Sequence, residues 1–347
     1  MSLPETKQFA INGSYDPFVN AFRRTLIDLL PVKAFDEVKV IMNTTQVYPV
    51  DYIIQRFNLL PLKQEGSPDS INIGETLNVI IQNESDKDYK DITIADIAKD
   101  NIEFKLSWFE KDIHELLVLT MPPRSSVVVE LKCTEAKQGI SNGAIHKGLH
   151  AWYKCLDSSE FSKFAKQYEK IDTTAAKTQK KLPQLKIINI PPQFTKGKMT
   201  DCKQCNYIFY TQSIYKWAND ANTFDRAREI LLRNIEEIKN DIETYELDNS
   251  SVFTMTVENI DHGVMNVVRM SVYLFMASIL GEFGPQDFVI SYDQPHKLES
   301  KMTLFFTFNK VHKSVLTKLL DLPDDTSDSE VSRHFIIYTL NLLLKVN

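Results

Sequence analysis

The chain has 347 residues, 43% hydrophobic and 25% charged, which fits two globular units and excludes wholesale disorder. Its formal charge of −6 excludes a histone-like basic nucleic-acid binder, and four cysteines exclude a disulfide scaffold and fit a reducing compartment. The opening MSLPETKQFA lacks a secretory pattern, and the longest apolar stretch, Met270 to Leu280, is about half a membrane span, so a soluble intracellular protein is expected.

The first expected element is a helix with Asp16 as N-cap and Pro17 at its first position. Phe18, Phe22, Leu26 and Leu29 recur at helical spacing until Pro31, while Asn20, Arg23 and Arg24 occupy the opposite face. A strand is expected over Phe35 to Met42 and a helix over Val50 to Leu62. Between Gly74 and Cys155 short alternating runs (76–82, 102–109, 116–121 and 127–133) predict a sheet-rich module.

Residues 154–203 hold eleven Lys, no Arg and five acids, a local net of +6 that leaves −12 for the remainder. Such a segment is ordinarily a solvated, mobile surface; its functional reading is contact with nucleic acid or an acidic partner. The strongest periodicity follows, in Phe224, Ala227, Leu231, Ile235, Ile238, Ile242 and Tyr245. It predicts a helix roughly 30–35 Å long whose apolar seam suits another helix.

After a polar joint at 248–251, the last hundred residues read strand (252–258), helix (266–281), strands (288–292 and 302–308), then helices near 310–320 and over 328–345. The first 62 residues joined to 206–245 give a comparable plan, which suggests a pseudo-dimer.

No enzyme signature stands in the sequence. Gly139 to Gly143 followed by Lys147-Gly148 lacks the order of a phosphate loop, and GxSxG, HExxH and dinucleotide fingerprints are missing. Carboxylates are not clustered as a two-magnesium site requires. Cys202 and Cys205 form a lone CxxC, a weak zinc candidate to which Cys155 and His150 could be recruited; two ordinary thiols are the reading taken. His262, after Asp261, fits a capping role at a strand-to-helix turn. No metal or cofactor is expected, and an assembly protein is favoured over a catalyst.

Two segments carry a family resemblance. FVNAFRRTLIDLLPVKAFDEVKVIMNTTQVYPVDYIIQRFNLLPL, from Phe18 to Leu62, resembles the signature of the larger alpha-type assembly subunits of multisubunit RNA polymerases (bacterial alpha, archaeal D and the third-largest eukaryotic subunit). The matching residues are Asn20, Arg23, Arg24, Pro31, Ala34, Asp36 or Glu37, Val38, Asn43, Thr44, Arg56, Leu60, Pro61 and Leu62. ENIDHGVMNVVRM, from Glu258, resembles the "E-D-H-T-L-G-N" motif of the smaller alpha-like subunit (archaeal L type). It retains Asp261, His262, Asn266 and Arg269, with Gly263 in place of the usual Thr and Met265 in place of the usual Gly. Gln294 to Glu299, with Pro295 and His296, is similar to that family's "V-P-H-P-L-E". Gly139-Ile140 with His150-Ala151-Trp152 is similar to a further element of the larger subunit. The cysteine-rich loop often found after its P-L element is absent from Lys63 to Gly74.

The resemblance implies an α+β fold of two alpha-like dimerisation modules, residues 1–44 with 205–247 and residues 248–347, forming an intramolecular pseudo-heterodimer. A β-rich insert domain, 45–204, interrupts the first. It implies a non-catalytic subunit of a DNA-directed RNA polymerase that nucleates assembly of the two largest, catalytic subunits and contacts small accessory subunits. DNA and RNA would be reached only through the complex; neither a membrane nor a homodimer is expected. One chain holding both halves resembles the fusion in nucleocytoplasmic large DNA viruses, with the virion or host cytoplasm as location. Expected partner contacts are Asn20, Arg23, Arg24, Arg56, His150 and Trp152. The expected pseudo-dimer interface is Phe224, Leu231, Ile235, Ile238 and Ile242 against a face with Val267, Val268, Val272, Phe275 and Ile279. Asp261, His262, Asn266, Arg269, Pro295 and His296 are expected to shape the second module. The alternative is a nucleic-acid-binding factor that uses the Lys-rich segment on an alpha-like base.

Overall fold

A computed structural model describes residues 6–63, 69–136, 149–171, 182–195, 204–213, 221–247, 250–281, 287–294 and 301–347. Helices and small antiparallel sheets share the chain, as the mixed pattern of 2- and 3.6-residue periods requires. It divides into two compact units, one chiefly Ile27–His150, the other Thr6–Leu26, Ala151–Thr211 and Phe224–Asn347. Both expected dimerisation modules contribute to the second unit, whereas the strand inside the 1–44 boundary lies with the insert. The residues Gly139 to Gly148, Cys202, Pro295 and His296 fall outside the described residues, as do residues 248 and 249.

In the first unit, β2 (Val32–Asn43), β6 (Ser125–Ala136) and β3 (Thr76–Asn83) form an antiparallel sheet in the order β2-β6-β3. The strand β3 alternates strictly, with Leu77, Val79 and Ile81 buried, because successive side chains point to opposite faces. Asn83, buried at the end of that row, donates its amide to the carbonyls of Asp88, Met121 and Pro122. A second pair joins β4 (Lys90–Thr93) to β5 (Leu117–Met121). The helix α2 (Val50–Asn58) buries Ile53 and Phe57 and packs on β2, stopping before the expected Leu62.

The helix α3 (Ile94–Asp100) is not anticipated by the apolar pattern. Thr93 and Asp96 close a reciprocal capping box, and the hydrogen bonds from Thr93 hold the Asp96 carboxyl below its usual range. The strand expected over 102–109 is a correction: the segment carries a short 3-10 helix, Leu106–Trp108. Phe104 stacks on Phe109 and meets Trp108 edge-on, so three rings enter the core from one compact turn, which an extended strand would spread over two faces.

The second unit contains the sheet β1-β8-β7, built from β1 (Thr6–Ser14), β8 (Cys205–Ser213) and β7 (Leu149–Leu156), whose first two residues belong to the other unit. A separate antiparallel sheet, β10-β11-β9, joins β10 (Phe288–Asp293), β11 (Lys301–Phe308) and β9 (Phe253–Glu258). The helix α1 (Asp16–Arg24) begins one residue earlier than the expected cap would have it: Tyr15 is the N-cap and Asp16 is the acid of the first turn. Its run to Pro31 continues as one π-helical stretch, Thr25–Leu29, beside a Thr25 hydroxyl that bonds the Ala21 carbonyl.

Inside the Lys-rich segment lies α4 (Ser158–Ile171), where Asp157 accepts from the backbone N–H of Ser159 and Glu160. Phe161 and Phe164 pack against Ala10, Leu156, Leu182 and Ile208, so this part of the segment has an apolar anchor. The helix α5 (Ala221–Thr244) buries Ala227, Leu231, Ile235, Ile238 and Ile242 completely. The helix α6 (His262–Leu280) is long and apolar enough to cross a membrane, so the half-span read for 270–280 is too short. It is instead packed by protein, with α1, α8 (Asp328–Lys345) and β10 against it. The short α7 (Lys313–Leu320) packs on α8.

Candidate functional site

The two motif-bearing helices, distant in sequence, meet inside the second unit. The helix α1 packs along α6, and the Arg24 guanidinium forks onto Asp261, 237 residues away. Nη2 donates to Oδ2 at 2.6 Å, and Nε donates to Oδ1 at 3.1 Å. Asp261 is also the N-cap of α6, its Oδ1 accepting from the Gly263 N–H at 2.7 Å. One carboxylate therefore caps its own helix and ties the neighbouring helix to it.

Gly263 sets how closely the helices approach. A Cβ built there would lie 2.8 Å from Asp261 Oδ1, 3.2 Å from Arg24 Cδ and 3.3 Å from Ala21 Cα. With Ala21 opposite, the crossing is made by two of the smallest residues. Gly263 thus has a packing reason in this chain.

Each of the two helices carries the same local clamp. Asn20 Oδ1 accepts from Arg23 Nε and Nη2 at 3.2 and 3.1 Å, and Asn266 Oδ1 accepts from Arg269 Nε at 3.0 Å. The i, i+3 spacing puts amide and guanidinium on one face and restricts the long side chain. Arg23 and Arg269 are both half-buried. His262 stands exposed at the start of α6, its ring 4.9 Å edge-on from Tyr292, whose hydroxyl is 3.0 Å from Nδ1. Burial raises the Tyr292 phenol, an effect that Arg269 opposes.

The other candidate residues are placed elsewhere. Arg56, in the first unit, donates to the backbone carbonyls of Val118 and Leu117, linking α2 to β5. His150 is exposed on β7. Trp152, 41% exposed, lies nearly parallel to Tyr210 with ring centroids 5.4 Å apart. Phe224 meets Phe9 edge-on, and Leu231, Ile235, Ile238 and Ile242 are buried. Val268 and Val272 are buried in α6, while Phe275 stacks on Phe335 of α8 and packs against Phe194. Cys205 is half-buried on β8; among the described residues no group of three or more His, Cys, Asp or Glu is arranged to hold a metal ion. Nothing in the sequence pairs Arg24 with Asp261, because no local signal connects residues so far apart.

No protein-family model matches the chain, and no curated protein matches it.

The Arg24–Asp261 tie is testable by itself. Asp261 is almost wholly buried, but the Arg24 side chain keeps 35% of its exposure, so solvent screens part of the attraction. Asp261→Ala also removes a helix cap and should lower stability by about 2–3 kcal/mol. A double-mutant cycle with Arg24→Ala should give a coupling of about 1 kcal/mol in urea unfolding; zero coupling would show that the fork contributes nothing. Arg24, expected on the helix face opposite Phe18 and Phe22, is thus engaged within the chain.

Proposed function

We propose that this chain is a non-catalytic assembly subunit of a multisubunit DNA-directed RNA polymerase, with the larger and smaller alpha-like halves fused in one polypeptide. It serves as the platform on which the two largest, magnesium-bearing subunits assemble, with small accessory subunits beside them. Two alpha-like dimerisation modules form an intramolecular pseudo-heterodimer, and a β-rich insert interrupts the first.

The observation that carries this reading is the meeting of the two motif helices. The helix with Asn20, Arg23 and Arg24 packs on the helix that begins at Asp261, and both carry an Asn-x-x-Arg clamp. A crossing between subunits becomes a contact within one chain, where effective concentrations reach the millimolar range for short linkers. The sequence supplies no carboxylate cluster for nucleotidyl transfer, which supports a structural role. The fusion points to a polymerase of a nucleocytoplasmic large DNA virus, located in the virion or the host cytoplasm.

The deciding experiment is affinity purification of the tagged full chain from its native system. Two large polymerase subunits should co-purify stoichiometrically and survive moderate salt. Nucleic-acid capture without polymerase subunits, falling steeply with salt, would overturn the reading in favour of the Lys-rich segment. Arg23 is the partner contact to test, since it is oriented by Asn20 but not committed to an ion pair with Asp261. Arg23→Ala should leave the melting temperature unchanged and reduce recovery of the large subunits about tenfold. Full recovery would remove Arg23 from the interface.

A further inference from the structure

We propose that Cys155 and Cys205 are a modification site, a cysteine pair that a low-molecular-weight disulfide converts into a reversible cross-strand bond between β7 and β8. The two strands are neighbours in their sheet. Tyr153 on β7 meets Tyr207 on β8 with ring centroids 5.8 Å apart. Two residues onward on β7 is Cys155, and two residues back on β8 is Cys205, which is near enough to raise the Cys155 thiol. That progression is the register of an antiparallel pair and sets the cysteines opposite each other. Opposed residues have Cα atoms about 4.5–5.5 Å apart, within the roughly 4.4–6.8 Å that a disulfide spans.

Access and resting state follow from the surroundings. Cys155 is exposed and Cys205 half-buried, and neither is in a disulfide. Local burial, with Cys205 and Asp16 adding to it, pushes the Cys155 thiol up to about 11, against a lowering contact from Tyr207. Cys155 is thus protonated at neutral pH and remains reduced until an exchange partner arrives.

In the first step a thiolate of the pair, after losing its proton, attacks one sulfur of the reagent and releases one small thiol. The second cysteine then loses its proton and displaces the other small thiol, closing the protein disulfide. The protein gives up two electrons and two protons, and the reagent becomes two thiols. The bond closes the loop 155–205, which contains most of the Lys-rich segment, and ties together the strands that carry Tyr153, whose phenol is raised by burial and then by Asp16 of α1.

The test uses the reduced full chain incubated with oxidised glutathione. Free thiols, counted after denaturation, should fall from four to two, peptide mapping should link Cys155 to Cys205, and the melting temperature should rise on the order of 5–10 °C. Dithiothreitol should reverse all three. Cys202→Ser should form the same link, and Cys155→Ser should form none involving Cys205 within β7 and β8. Four free thiols after oxidation, a Cys202–Cys205 link, or bonds between chains would each overturn the proposal.

Discussion

Gly263→Thr should lower the stability of the chain by about 2–4 kcal/mol. The Cβ alone would stand 2.8 Å from the Asp261 carboxylate and 3.3 Å from the Ala21 backbone, so either α1 moves away from α6 or the cap gives way. Overpacking of this kind costs about 1–3 kcal/mol, and loss of a cap about 1 more. Gly263→Ala should fall between, since roughly up to 1 kcal/mol of helix propensity offsets the same strained Cβ. Urea unfolding of the three proteins should give the order Gly, Ala, Thr. A Thr variant as stable as the parent would mean that the crossing tolerates a wider gap, and Gly263 would then have no packing role.

The expected consequence extends to the Arg24–Asp261 fork. If Thr forces the helices apart, Arg24→Ala should cost less in the Gly263→Thr background than in the parent, because the fork is already broken. Unchanged cost would show that the carboxylate adjusts while the helices stay in place.

What the sequence could and could not reveal follows from the range of each signal. The α5 seam repeats every three or four residues for more than twenty positions, so its helix and buried face are legible without tertiary information. The bounds of α8 are equally legible, because Ser327 is a cap and Asp328 and Glu330 fill the first turn. Helices α3 and α4 could have been found from their caps, Thr93 with Asp96 and Asp157 with Glu160, but neither has a long apolar repeat. The run 102–109 misleads because its rings serve a tight turn with nearly the same composition as a strand. For the candidate site, Asp261 and the clamp residues are readable as local motifs. The Arg24 fork and the need for Gly263 arise only when α1 and α6 touch, so no window of the sequence contains them.

A charge placed at Leu231 or Ile238 should unfold the chain or cost it more than about 4 kcal/mol. Both side chains are fully buried in α5 by the chain's own packing. An Asp there must be desolvated without a partner or expelled together with the helix, and the cost of either is at the severe end for single substitutions. Leu231→Asn, polar but uncharged, should cost less, since only an amide then lacks partners. The same burial bears on association: a seam already covered by its own chain leaves nothing on that face for a second copy to cover. The free protein should therefore sediment near its own mass of 40.0 kDa. A symmetric dimer of about twice that mass, split by Leu231→Asp into folded monomers, would show that a second chain covers the seam in solution. Collapse of the monomer itself, measured by loss of cooperative unfolding, is the expected result.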